Sequence, residues 1–155
     1  MARNKLFTYA IIAIIAAIVV IAIWPAKEEN ALNINLKDHN SITYHIHPHL
    51  EITINGQKMV IPSDIGITDA GMRAIHTHDT SGSFHIEAPE PHQFYLKDLF
   101  AVWGKELNET CFLGYCEDAT HEWKMQANGV PSELWGEFPL HDKDHIELFY
   151  QEVSP

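Results

Sequence analysis

Basic residues are scarce in this sequence: ten Lys and Arg stand against 21 Asp and Glu. Arg3 and Lys5 precede a long apolar run, so residues 27–155 carry a net charge of −13 with His neutral. Such acidity argues against nucleic acid and anionic lipid as partners. It suits attraction of cations, and it suits plain solubility equally well. Catalytic signatures are also missing. The chain has no Gly-x-Ser-x-Gly elbow, no phosphate-binding glycine loop and no His-Glu-x-x-His. Internal repeats and low-complexity segments are absent too. Cysteine is limited to Cys111 and Cys116. Outside the cytoplasm that spacing defaults to a local disulfide, with a thiolate metal site as the alternative. A disulfide argues against a cysteine nucleophile. Asn108, in Asn108-Glu109-Thr110, fits an N-glycosylation sequon.

One long apolar run stands out. Leu6 to Trp24 holds seven isoleucines and no charged residue. At 1.5 Å per residue a helix of that length reaches about 28 Å, close to the hydrocarbon thickness of a bilayer. Arg3 and Lys5 on the N-terminal side keep that end in the cytoplasm and send the remainder outside. Tyr9 and Trp24 belong near the two interfaces. A cleaved signal peptide would have a shorter core and small residues before the cut. Here Trp24 occupies the third position before the best-fitting cut, after Ala26, and no cysteine is nearby for lipidation. The expected organisation is a cytoplasmic N-terminus (1–5), a single-pass anchor in the cytoplasmic membrane (6–24), a tether (25–30) and an extracytoplasmic domain (31–155). A tether of six residues, at most ~3.6 Å each, holds that domain near the membrane.

The histidines are the other concentration. Six of 11 lie between His45 and Glu87. Alternate side chains of a strand share a face. Ile42, Tyr44, Ile46, Leu50, Ile52 and Ile54 therefore line one side, and Thr43, His45, His47, His49, Glu51 and Thr53 the other. Pro48 marks a bend or an edge. In the second block His76 and His78 alternate with Ile75 and Thr77, and His85 and Glu87 with Phe84 and Ile86. Asp79 to Gly82 reads as the turn between them. A two- or four-residue loop there sets His78 opposite His85 and His76 opposite Glu87. A three-residue loop puts His85 on the other face.

Neutral imidazole is the commonest protein metal ligand. Histidines two apart on a strand are separated by about 6.6 Å along the backbone, and their rings can converge on one ion. Three in alternation span about 13 Å, too wide for one ion on a straight strand. The expected ligands are His47, His76, His78 and His85, with His45 and His49 as further candidates. Glu51, Asp79 and Glu87 serve as direct ligands or orient imidazoles. An all-nitrogen-and-oxygen site fits copper or zinc. His39, His92, His121, His141 and His145 sit beside turns or proline and read as exposed loop residues.

Elsewhere Leu32, Ile34 and Leu36 suggest a first strand. Asn55-Gly56 and Asn128-Gly129 signal hairpins. Pro62 to Gly71 reads as loop, Phe94 to Leu96 as a short strand, and Asp98 to Trp103 as a helix closed by Gly104. Glu117–Ala127 alternates around Trp123 and Met125. Ile146, Leu148 and Tyr150 form a closing strand after the turn at 141–144. The expected fold is mainly β, an antiparallel sandwich or barrel with one short helix, plus the N-terminal transmembrane helix.

From Tyr44 to Leu107 the chain resembles an uncharacterised prokaryotic family of secreted or membrane-anchored His-rich domains. The matching pattern is His-x-His-x-His, then His-Thr-His-Asp-x-Ser-Gly-x-x-His-Ile-Glu, here His45 to His49 and His76 to Glu87. The resemblance implies the domain and no reaction. Three functions are consistent with the residues. The first is a membrane-anchored extracytoplasmic domain binding copper or zinc. The second is an accessory subunit of a membrane-embedded metalloenzyme complex. The third is an enzyme with a three-His metal and Glu51, Glu87 or Asp79 as base.

Overall fold

The computed structural model describes residues 31–153. The N-terminal segment, the predicted anchor over 6–24 and its tether lie outside the described residues. Among the described residues no helix is long and apolar enough to cross a membrane.

Two sheets carry the architecture. Strands β1 (Tyr44–Ile46), β6 (Ile75–His76) and β7 (His85–Ala88) form a three-stranded sheet in the order β1-β7-β6, antiparallel throughout. Strands β2 (His49–Ile54), β3 (Gln57–Lys58), β10 (His121–Ala127), β11 (Val130–Pro131) and β12 (His145–Glu152) form a five-stranded sheet in the order β11-β10-β12-β2-β3. Two short hairpins complete the set: β4 (Ile67–Thr68) with β5 (Gly71–Met72), and β8 (Cys111–Phe112) with β9 (Tyr115–Cys116). One α-helix is present among the described residues, α1 (Leu96–Trp103).

The hydrophobic pattern dictates which side of each sheet is inside. Ile46, Leu50 and Ile52 are buried while His45 and His47 are exposed, the alternation of a strand with one wet face. Trp123, Met125 and Ala127 repeat it on β10, and Ile146, Leu148 and Tyr150 on β12. Both sheets contribute to one core, and each fully buried Leu, Ile or Phe adds roughly 1.5–3 kcal/mol. Leu96, Leu99 and Phe100 bring the helix onto it. Asp98 caps the helix start by accepting from the Tyr95 backbone N–H (2.8 Å). Gly104, at φ 71°, closes the other end in the left-handed region, where a side chain is disfavoured. Phe112 sits edge-on to Phe100 at 4.9 Å and 5.5 Å from Trp123, tying the cysteine hairpin to helix and sheet. Cys111 and Cys116 form a disulfide across that hairpin.

Both Asn-Gly turns form as expected. Asn55 and Gly56 (φ 50° and 78°) join β2 to β3, and Asn128 and Gly129 (φ 55° and 76°) join β10 to β11. Five expectations need correction. The segment Pro62 to Gly71, expected as loop, holds β4 and the start of β5. Among the described residues the barrel does not close, because β11 and β3 are the outer strands of an open sheet. Nor is the large sheet wholly antiparallel: β12 runs parallel to β2, with Ile146 beside Leu50 and Leu148 beside Ile52. More than ninety residues separate the two strands in sequence, ample for the long connection that a parallel pair requires. Residues Leu32 to Leu36 are not a strand. They form 3-10 turns at Ala31–Asn33 and Leu36–Asp38, with Ile34 and Leu36 still buried. Alternating burial was real there, and Asn35 is itself extended (φ −114°, ψ 113°) with a lone bridge to Arg73, but its side chain accepts from the Lys37 N–H and starts the second turn. Finally, Phe94 to Leu96 holds a lone bridge between Tyr95 and Pro139, and Leu96 already belongs to the helix.

Candidate metal centre

The three-stranded sheet places its histidines in a row. His45 pairs with Glu87 and Ile46 with Ile86 across β1 and β7, so the next position sets His47 beside His85. On the other side of β7, His76 pairs directly with His85. The row therefore reads His47, His85, His76, and Ile46, Ile86 and Ile75 are buried. The second hairpin differs in register from the expectation by two residues: His76, and not His78, faces His85. A two-residue slip preserves the face, so His85 stays with the other imidazoles.

His78 reaches the same place from just beyond β6. Thr77, buried between His76 and His78, holds this backbone. Its hydroxyl donates to the Pro62 carbonyl (2.7 Å) and accepts from Ile65 N–H (3.1 Å). His76 Nε2 and His78 Nε2 end 3.1 Å apart. His45 Nε2 lies 3.1 Å from His85 Nδ1 and 3.1 Å from Glu87 Oε1, and His85 Nδ1 lies 3.7 Å from that same oxygen. Ring centroids of His47 are 4.4 Å from His45 and 4.6 Å from His85.

Two groups of three histidines result, each with ligand atoms within 4.8 Å of one another: His45, His47 and His85, and His76, His78 and His85. Each can hold a metal ion. The separations suit the chemistry. Nitrogens bound to one zinc at 2.0–2.1 Å and a tetrahedral angle lie about 3.3 Å apart. Neighbouring nitrogens of a square-planar copper site lie about 2.8 Å apart. The observed 3.1 Å falls between the two.

Protonation is already arranged at the buried end. His76 is fully buried, and its Nδ1 lies 3.0 Å from the Arg73 carbonyl oxygen. A carbonyl can only accept, so Nδ1 carries the proton and Nε2 presents its lone pair toward His78. Burial pushes the His76 pKa down to about 4, opposed by that backbone hydrogen bond and by Glu87. The ring is neutral at physiological pH, the state a ligand needs. His85 is also lowered, by burial first and then by His47, His78 and His45. A backbone acceptor fixing the tautomer is the usual support for a metal-binding imidazole.

Of the residues expected at the site, His45, His47, His76, His78, His85 and Glu87 come together. Three do not. His49 opens β2 in the other sheet, because Pro48 passes the chain from one sheet to the next. Its ring stacks on His145 at 4.9 Å and 8°, and Nδ1 meets Ser83 Oγ at 3.2 Å. Glu51 is paired with Lys58 (2.6 Å), which holds its carboxyl below the usual range. Asp79 accepts from the Ser81 backbone N–H (2.8 Å), so its carboxylate serves its own turn. Asn108 is exposed, with Oδ1 accepting from Thr110 and Cys111.

Sequence reasoning missed three partners. Asp142 Oδ1 accepts from the His47 backbone N–H (3.0 Å) and lies 3.8 Å from His47 Nδ1. Nothing local signals it, since residue 142 reaches residue 47 through the parallel β2–β12 pairing. The Arg73 carbonyl and the Thr77 hydroxyl act through backbone geometry that side-chain patterns do not reveal. His145, read as a loop residue, is half-buried in β12 against His49. A cavity of about 520 Å³ lies elsewhere, lined by Ile65, Gly66, Arg73, Val102 and Trp103 among others and by none of the clustered histidines. Compared with protein-family models, curated proteins and solved structures, the chain matches none.

Proposed function

We propose that this protein is a membrane-anchored, extracytoplasmic domain that binds copper or zinc through the histidines of its three-stranded sheet. One observation carries the reading: five imidazoles, from three strands and the residues just beyond two of them, converge on a single patch in groups of three. A histidine network built for stability alone needs no such convergence, and like-charged rings at these distances would repel on protonation. His76 adds weight, being buried, neutral and set with its lone pair toward His78. The acidic composition suits cation capture. The resemblance of Tyr44–Leu107 to secreted or anchored His-rich domains, the anchor over 6–24 and the Asn108 sequon are parts of the same proposal.

The test is the metal content of the full chain, purified without added metal. At least one equivalent of copper or zinc is expected, with none in His85→Ala, which removes the ring common to both groups. Full metal content in that variant refutes the assignment.

An enzyme reading has one point in its favour. His45 and His47 are exposed and Glu87 lies beside His45, so an ion there has an open side and a carboxylate near it. Water-derived turnover by the metal-loaded chain, lost in Glu87→Gln with metal retained, distinguishes a catalyst from a binding domain.

A further inference from the structure

The two groups of three share one member. We infer that the cluster binds two ions, not one, with the His85 ring lying between them and giving one nitrogen to each. This rests on the metal-binding reading above and specifies its stoichiometry.

The argument starts from the way the ligand atoms divide. They do not gather as one set of five. They gather as His45, His47 and His85 on one side and His76, His78 and His85 on the other. The sheet order explains the division. Strand β7 is the middle strand, so His85 has β1 on one flank and β6 on the other. His85 rings are 4.6 and 5.3 Å from His47 and His45, and 4.7 and 5.3 Å from His78 and His76. The central ring is thus nearly equidistant from both pairs.

An imidazole has two nitrogens on opposite sides of the ring, and each can bind one ion. Nδ1 of His85 already belongs to the first group, at 3.1 Å from His45 Nε2 and 3.7 Å from Glu87 Oε1. Nε2 is the donor left for His76 and His78, whose own Nε2 atoms face each other at 3.1 Å. A neutral imidazole has one lone pair and one N–H. Binding the second ion therefore releases that N–H proton to solvent and leaves a bridging imidazolate, a proton loss that a bound dication promotes. Two ions joined this way lie about 6 Å apart, the span of the ring plus two bonds of about 2.0 Å. Their mutual repulsion is offset by the imidazolate and the Glu87 carboxylate. The two positions differ: the first has two exposed histidines and a carboxylate oxygen, the second a fully buried His76.

Copper(II) titration of the full chain in detergent tests this, with a competing amino-acid chelator to suppress weak surface binding. Copper is counted by elemental analysis and by electron paramagnetic resonance at low temperature. Two equivalents are expected. The spin signal should rise with the first and fall with the second, because the bridging ring couples the two ions magnetically. His45→Ala/His47→Ala and His76→Ala/His78→Ala should each retain one equivalent with a full, uncoupled signal. One equivalent in the unaltered chain, lost in both double variants, overturns the shared ring and leaves the metal-binding reading standing. Two equivalents with additive signals overturn the bridge alone. No tight copper overturns both readings. The coupling is read on the unaltered protein, so the answer does not depend on any variant folding.

Discussion

Acid should destabilise the metal-free protein most strongly through His76. His76 is fully buried and its pKa is pushed down to about 4 from 6.5. The folded value lies below the unfolded one. The unfolded chain therefore binds more protons between pH 6.5 and pH 4, and stability falls as the pH falls through that window. Between pH 7 and pH 4.5 the loss from this ring alone is roughly 2 kcal/mol, from 1.36 kcal/mol per pKa unit across most of that window. Urea slopes of about 1–3 kcal/mol per molar make that a drop of about 1 M in the unfolding midpoint. The assay is urea unfolding of chelator-treated protein at both pH values, beside His76→Gln, whose amide can still donate to the Arg73 carbonyl but does not titrate. Asp118, held near a pKa of about 2, stays ionised at pH 4.5 and does not confuse the comparison. Lowered His49 and His85 are present in both proteins. Equal midpoint shifts in the two proteins would refute the claim that His76 is buried as a neutral ring.

Other outcomes follow from the packing around the site. Gly66 has φ 74°, and an added Cβ would lie 2.2 Å from the Ile75 carbonyl and 3.2 Å from His76 Cβ. Gly66→Ala should cost roughly 2–5 kcal/mol in unfolding free energy, from left-handed strain plus displaced packing, and should weaken metal binding by moving β6. Gly56→Ala, at φ 78° with open space around it, should cost only about 1–2 kcal/mol and leave metal binding alone; equal effects would contradict the close packing behind His76. His49→Ala should keep full metal content and lose less than about 1.5 kcal/mol of stability, the worth of a ring pair; metal loss there would return His49 to the site. Asp142→Ala should weaken metal affinity by roughly 10–100-fold, as loss of an orienting carboxylate does, and unchanged affinity in a chelator competition would remove Asp142 from the account.

Local chemistry was legible and long-range pairing was not. The period of two from Tyr44 to His47 separated imidazoles from core, since a strand with one buried side writes itself into sequence. The Asn-Gly turns and the helix closed by Gly104 were equally readable, because left-handed backbone restricts the choice of residue. His49 was misplaced because alternation continues through Pro48 while the chain changes sheets there. The register of the second hairpin was off by two because its loop is longer than the turn signal at Asp79 to Gly82 implied. Asp142 and the parallel β2–β12 pairing depend on contacts across more than ninety residues, which no local window carries. Leu32 to Leu36 alternates in burial yet coils, since short 3-10 turns can also hide every second side chain.

X-ray absorption at the metal edge of the metal-loaded full chain tests the central claim most directly. Three or more imidazole nitrogens at about 2.0 Å, with the outer-shell scattering of histidine rings, are expected. A shell of oxygens without imidazole, or of sulfur, would contradict a histidine centre on the three-stranded sheet.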